Sequence, residues 1–130
     1  MASITLAGVD ALTESGGIIT VDAGVLSFSD TPQAMTGAGA VSITTTLTTV
    51  ASSAAIALTI ADGIQGQIKV IVFITDGGDA TLTPATMNDG TTLTFADAGD
   101  SAILMWIGTS GWQVISMAGT GTTAKGPVIG

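Results

Sequence analysis

Short apolar runs separated by turn residues make up most of the chain. The runs are rich in Ile, Val, Leu and Thr, and Asp, Asn and Gly stand between them. From Gly66 to Ser116 the turns follow one another so closely that no helix fits between them. Strands that recur about every 8–12 residues predict an all-β fold, namely a single antiparallel β-sandwich or barrel with a jelly-roll-like topology.

Two runs in this stretch, Ile68–Thr75 and Ala102–Ile107, are apolar at both odd and even positions. Successive side chains of a strand point to opposite faces of a sheet, so both faces of these strands require burial. A second sheet, another part of the domain or a neighbouring subunit could bury them. Three further strands are predicted here: Thr81–Thr83, Thr91–Phe95 and Trp112–Met117.

The first half of the chain supplies additional strands. Ile18–Val21 and Val25–Ser29 are joined by a hairpin-length connection, and Val41–Thr49 alternates a mainly apolar face with a hydroxylated one. The alanines of Ala54–Ala61 are compatible with a helix, but its Ile-x-Leu-x-Ile alternation favours a strand. Asp30–Ala40, with a proline and two glycines, is predicted to be a loop.

The two ends of the chain lack a core pattern. Residues 1–17 are predicted to form an N-terminal arm, 18–117 the β-domain and 118–130 a flexible Gly-rich tail. Within the arm, residues 9–12 fit one helical turn or part of a first strand equally well. The apolar residues of the arm are candidate contacts with a partner: Ile4, Leu6, Val9 and Leu12. The pattern predicts neither a secretory signal nor a transmembrane helix.

Composition narrows the function classes. The chain has 130 residues, ten acids and two basic residues, for a formal net charge of −8. This balance repels phosphate backbones and anionic lipid, so neither nucleic acid nor a membrane is an expected partner. Only 9% of the residues are charged and 46% are hydrophobic. A Thr/Ser/Gly-rich exterior or cover by partner subunits could account for this, and we favour the second because lysine-poor strand edges invite association.

The candidate chemistry is sparse. Without His or Cys, no Ser–His or Cys–His pair can form, and we expect no enzyme. Five aspartates could in principle act in pairs or hold Ca²⁺, but each lies beside Gly or in a predicted turn, where Asp stabilises the backbone. They are Asp76, Asp79, Asp89, Asp97 and Asp100. The spacing of an EF-hand is absent, so no metal and no cofactor are expected.

Two other patterns could indicate binding surfaces. Thr-x-Thr pairs resemble ice-binding arrays, but their unequal spacing and the β-propensity of Thr favour ordinary strands. Trp106 and Trp112 flank the turn Gly108–Gly111 and could form a sugar-binding platform. A hairpin that pairs residue 107 with 112 would instead place the two rings on opposite faces, one in the core and one at a subunit contact.

The stretch Asp62–Ser116, under half of the chain, resembles a segment of virion structural proteins of tailed bacteriophages, especially marine and cyanobacterial phages. The resemblance depends on a DG–GQ turn before an apolar strand, then GGDATLTP, a GTT-x-TF strand, GDS and a final apolar hairpin with Trp. The matching residues are Asp62, Gly63, Gly66, Gln67, Gly77–Pro84, Gly90–Thr92, Phe95, Gly99–Ser101 and Trp112.

This resemblance implies a β-rich, often trimeric component of the particle exterior. We expect a capsid decoration (cement) protein, a homotrimer that clamps major capsid protein subunits on the outside of the head. The alternative is a tail-fibre, head-fibre or spike domain that binds host surface glycan through Trp106 or Trp112 and the Thr faces. A third possibility, a glycan depolymerase with paired aspartates, is the least favoured. The family carries no catalytic residues to transfer.

Overall fold

A computed structural model describes residues 2–6, 9–16, 18–21, 31–119 and 126–130, and for the first three strands it describes the backbone. These residues form strands and no helix, so the chain is all-β. The strands are β1 (Ala2–Leu6), β2 (Val9–Ser15), β3 (Ile18–Val21), β4 (Gln33–Met35), β5 (Gly39–Val41), β6 (Leu47–Ala51), β7 (Ile56–Ile60), β8 (Ile68–Thr75), β9 (Ala80–Pro84), β10 (Leu93–Phe95), β11 (Ser101–Trp106), β12 (Trp112–Ala118) and β13 (Val128–Ile129).

The strands belong to three sheets. Sheet 1 is the antiparallel order β1-β2-β3, sheet 2 has the order β12-β11-β8-β6-β4, and sheet 3 has the order β13-β10-β9-β7-β5. In sheet 1 the register aligns Ile4 with Leu12 and Leu12 with Val21. Residues 9–12 therefore continue a strand and do not form the helical turn that the sequence left open.

From β4 to β9 the chain alternates between sheets 2 and 3, so that it winds as a flat coil. Each turn of the coil contributes one strand to each sheet, and strands of successive turns lie side by side in parallel. Parallel neighbours need a crossover connection, and here the strand in the opposite sheet provides it. The coil explains why the sequence shows strands without tight hairpins in this region.

After β9 the pairing becomes antiparallel. β10 pairs with β9 and β13 with β10 in sheet 3, while β11 pairs with β8 and β12 with β11 in sheet 2. Both large sheets are therefore mixed. The predicted antiparallel fold is wrong in this respect, because sequence periodicity reports which face of a strand is buried and not the direction of its neighbour.

The buried faces of sheets 2 and 3 share one hydrophobic core. Phe73 of β8 meets Phe95 of β10 edge to face, with ring centroids 6.5 Å apart. Leu58, Leu82 and Leu104 are fully or almost fully buried beside them. Burial of side chains of this size stabilises a fold by roughly 1.5–3 kcal/mol each, so this core holds the two sheets together.

The coil has a tightly packed corner where two connections stack. Gly77 lies so close to the preceding turn that a Cβ there would come within 2.6 Å of the Ser52 carbonyl oxygen. Gly78 has φ 153°, and a Cβ there would collide with the backbone nitrogen of Ala55. The Ser52 hydroxyl accepts from the Gly77 amide at 3.1 Å. The Gly-Gly pair is therefore required by close approach of backbone to backbone.

Two predictions about the first half were wrong. Asp30–Ala40 was predicted to be a loop, but it contains β4 and most of β5. The Gln33 carboxamide donates to the Ala40 carbonyl at 2.9 Å and accepts from the Ser42 amide at 2.8 Å, which ties the two short strands together. Val41–Thr49 was predicted to be one strand, but residues 42–46 cross from sheet 3 to sheet 2.

Other predicted elements agree with the structure. β8 has both predicted bounds, and Ala54–Ala61 contains β7. The predicted strand Val25–Ser29 lies outside the described residues. The division into arm, domain and tail stays a prediction, although Ile18–Val21 pairs with β2 and Val128–Ile129 pairs with β10.

Candidate interaction surface

Strand β8 presents one face to the core and one face away from it. Lys69, Ile71 and Phe73 are buried, while the alternate residues are exposed or half-buried. The opposite sheet thus buries only one of the two apolar faces that the sequence identified. The outward face of Ile68–Thr75 remains uncovered in the single chain.

The neighbouring strands extend this outward face across sheet 2. The register places Leu47 of β6, Val70 of β8 and Ile103 of β11 in one row. Ile68 lies beside Met105 in the next row. We call this surface the aliphatic face, and its members are Leu47, Ile68, Val70, Val72, Ile74, Ile103, Met105, Ile107 and Ile115.

The aliphatic face is open to solvent and uncharged. Its isoleucines are between 37% and 54% exposed. Within residues 31–119 every acid lies in a connection between strands, and the one charged residue inside a strand, Lys69, points into the core. A shallow groove of about 190 Å³ runs over Val70, Val72 and Ile103. Large apolar patches of this kind on a protein surface indicate an interaction site.

The outward face of sheet 3 has a different chemistry. The register pairs Thr59 with Thr83 and Thr81 with Thr94. The hydroxyls of Thr81 and Thr94 lie 3.3 Å apart, and Thr59 and Thr83 are exposed. Hydroxyl groups remain hydrated on a free surface, so this face needs no cover. The sequence showed the Thr-x-Thr pairs, but only the fold aligns those of separate strands.

The two tryptophans lie on the same face, and the prediction of opposite faces was wrong. Trp106 pairs directly with Trp112 across the hairpin, with residues 107–111 as the loop. Their rings pack edge to face with centroids 5.5 Å apart, and Trp112 Nε1 donates to the Ala61 carbonyl at 2.9 Å. Both side chains are buried, so neither is available as a glycan platform or as an exposed subunit contact.

Among the described strands of sheets 2 and 3, Lys69 is the one charged residue, and its side chain is buried. Its ammonium donates to the carbonyl oxygen of Thr45 at 2.7 Å and to the Thr45 hydroxyl at 3.1 Å. Within the described part of the chain, these contacts include no carboxylate. Burial disfavours the charged form and lowers the pKa of Lys69 from 10.5 to about 8. A shallow depression beside Thr45 is lined by residues without a titratable side chain: Ile43, Thr44, Thr45, Thr46, Gly66, Gln67 and Ile68.

The aspartates that the sequence singled out act mainly on the backbone. Asp76 Oδ1 accepts from the Gly78 amide at 2.9 Å, and Asp89 Oδ2 accepts from the Val114 amide at 2.9 Å. Asp100 is fully buried, and its Oδ2 accepts from two amides of the preceding turn. The prediction that these residues stabilise turns is confirmed for Asp76 and Asp100, whereas Asp89 ties its connection to β12. For Asp79 and Asp97 it stays a prediction. Among the described residues, no group of three or more His, Cys, Asp or Glu is placed to hold a metal ion.

The four predicted contact residues near the N-terminus, Ile4, Leu6, Val9 and Leu12, lie on β1 and β2. Their role as contacts stays a prediction. The described residues contain no helix that could cross a membrane. Comparison with known proteins gave no match to a protein-family model, a curated protein or a solved structure.

Proposed function

We propose that this protein is a non-enzymatic structural component of a virus particle, a capsid decoration protein that acts as a homotrimer. It binds the exterior of the head and clamps neighbouring subunits of the major capsid protein. The observation that carries this proposal is the aliphatic face, an open and uncharged surface on a sheet whose strands contain no acid. Such a chain is suited to be a subunit of an assembly.

Two other features support the proposal. The resemblance of Asp62–Ser116 to virion structural proteins indicates the kind of particle and the trimer. The N-terminal strands provide a second surface, where Ile4 and Leu12 are register neighbours. We assign this N-terminal surface to the contact with the capsid shell. The aliphatic face is then free for a different contact.

The mechanism is stabilisation by linkage. A protein that binds the assembled shell and not its free subunits lowers the free energy of the shell by RT ln(1 + [L]/Kd), about 2.7 kcal/mol at 100 times Kd. Repeated at every site, this stabilisation raises the resistance of the shell to internal pressure. Stabilisation of the shell in this way requires surface complementarity and no catalytic group.

The proposal is tested by adding the purified protein to heads that lack it. We expect it to co-sediment with the heads, to saturate at hundreds of copies per particle, and to raise the temperature at which the heads break. The alternative, a fibre or spike domain that binds glycan, predicts only a few copies at the tail. That result, or no binding to heads at any concentration, would contradict the decoration role.

A further inference from the structure

We propose that the aliphatic face is covered by a second copy of this chain. This inference deepens the proposed function and rests on it for the assembled state of the protein, but the geometry of the face carries it. The capsid shell would then be contacted elsewhere. The face is named by the nine residues given above.

The area of the face matches a contact between two proteins. Its isoleucines are 37–54% exposed, and half-buried Leu47, Val70, Val72 and Met105 lie between them. Together they present on the order of 600 Å² of apolar surface, at the upper limit for the largest patch of a monomer. A standard interface buries ~800 Å² per partner, so this apolar surface is large enough to form the centre of one.

Charge indicates that the partner is another copy. The chain carries a net charge of −8, and two copies repel wherever their acids meet. In the described β4–β13 region no strand of the aliphatic face contains an acid, because every acid lies in a connection between strands: Asp62, Asp76, Asp79, Asp89, Asp97 and Asp100. A foreign partner could attract some of these acids with basic residues of its own. A surface that binds a second copy of the same chain must instead contain no acids, and the strands of the aliphatic face contain none.

The shape of the face also suits an apolar contact. The groove over Val70 and Ile103 is bordered by the small side chains of Ser101, Ser116 and Ala118, while Ile74 and Ile115 are 54% exposed. Exposed isoleucines of one copy fit a groove of this kind in another. The register shift between Ile103 and Leu104 leaves Ile115 as the extra residue of a bulge in β12, at the margin of the face.

The test compares Ile103→Asp with Thr83→Asp. Both residues are exposed on strands, but Ile103 lies on the aliphatic face and Thr83 on the hydroxyl face of sheet 3. Sedimentation equilibrium measures association against the 12.7 kDa chain mass. We expect self-association in the wild type and in Thr83→Asp, and at least tenfold weaker association in Ile103→Asp. Circular dichroism confirms that each variant is folded.

A monomeric wild type, or equal association in the two variants, would overturn the inference. If Ile103→Asp associates normally but no longer binds heads, the face contacts the shell, so the inference fails and the proposed function stands. If association depends on Ile103 but the wild type does not bind heads, the inference stands and the proposed function fails. A dimeric wild type supports the inference and contradicts only the trimeric state in the proposed function.

A second measurement covers the case in which Ile103→Asp does not fold. The chain has no Cys, so Ser116→Cys creates a single labelling site beside the groove. A pyrene label at this site should give excimer emission that rises with protein concentration, and the same label at Thr83→Cys should not. Equal emission from the two labelled variants contradicts the inference.

Discussion

Lys69→Met should remove a specific pH dependence of stability. The pKa of Lys69 is about 8 in the folded chain and 10.5 in the unfolded chain. Between these values the unfolded state holds a proton that the folded state has released, so raising the pH favours folding. Below pH 8 the folded state carries the full cost of the buried charge. The free energy of unfolding should therefore rise from pH 8 to pH 10.5.

The size of the rise follows from the pKa difference. Each pKa unit corresponds to about 1.4 kcal/mol, so the lowered pKa of Lys69 gives at most ~3.5 kcal/mol. Thr45, whose oxygens accept from the ammonium, is half-buried. Nearby water therefore screens part of the charge, and we expect a rise of about 1–3 kcal/mol. Lys69→Met, with an uncharged side chain of similar length, should show a flat profile across this range.

The composition of the chain leaves few other groups that titrate in the pH range of the assay. It has no Tyr and no Cys, so only its two lysines and the α-amino group titrate near this range. Urea unfolding followed by the emission of buried Trp106 and Trp112 gives the free energy at each pH. Lys125→Met is the matched control for the loss of one positive charge. A flat wild-type profile, or a slope that persists in Lys69→Met, would refute the reasoning.

Gly78→Ala should destabilise the chain by about 2–4 kcal/mol, because its new Cβ would collide with the backbone of Ala55. Gly37→Ala is the control: no atom lies within 4 Å of its new Cβ, so stability should change by less than about 0.5 kcal/mol. Thermal unfolding checks both, and equal effects would show that the corner is not tightly packed. Asp100→Ala should cost about 2–3 kcal/mol because two amides of the preceding turn lose their charged acceptor, while the exposed Asp62→Ala should have little effect in urea titrations. An Asp100→Ala variant as stable as Asp62→Ala would contradict the role of the buried carboxylate.

The candidate surface was only partly predictable. The sequence identified Ile68–Thr75 and Ala102–Ile107 as apolar on both faces, and it left a second sheet or a neighbouring subunit as the cover. The structure assigns the inward face to the opposite sheet and leaves the outward face open. Leu47 joins this face only because β6 pairs with β8, and Ile115 only because β12 pairs with β11. Their contribution depends on contacts between segments that are far apart in the sequence.

The tryptophan pair shows why register needs the tertiary structure. The composition of Gly108–Gly111 identifies a turn but does not fix which residues pair across it. The predicted pairing of residue 107 with residue 112 differs by only one residue from the pairing of 106 with 112 in the structure. Because side chains alternate between faces, that single shift decides whether the two rings lie on opposite faces or, as in the structure, on the same one. The Trp112 indole bonds to Ala61, which lies 51 residues earlier in the chain. No local pattern contains that contact.

The sequence by itself determined the all-β class, the position of β8 and the turn role of Asp76 and Asp100. These features depend on residues within a few positions of one another, through side-chain alternation and hydrogen bonds that nearby backbone amides donate to Asp carboxylates. Only the tertiary structure decided that β4 to β9 wind as a parallel coil, that both tryptophans are buried, and that one aliphatic face stays open. Contacts between distant segments set the direction of neighbouring strands, their register and which face is buried. The periodicity of a strand does not report them, because it is the same whichever neighbour the strand pairs with.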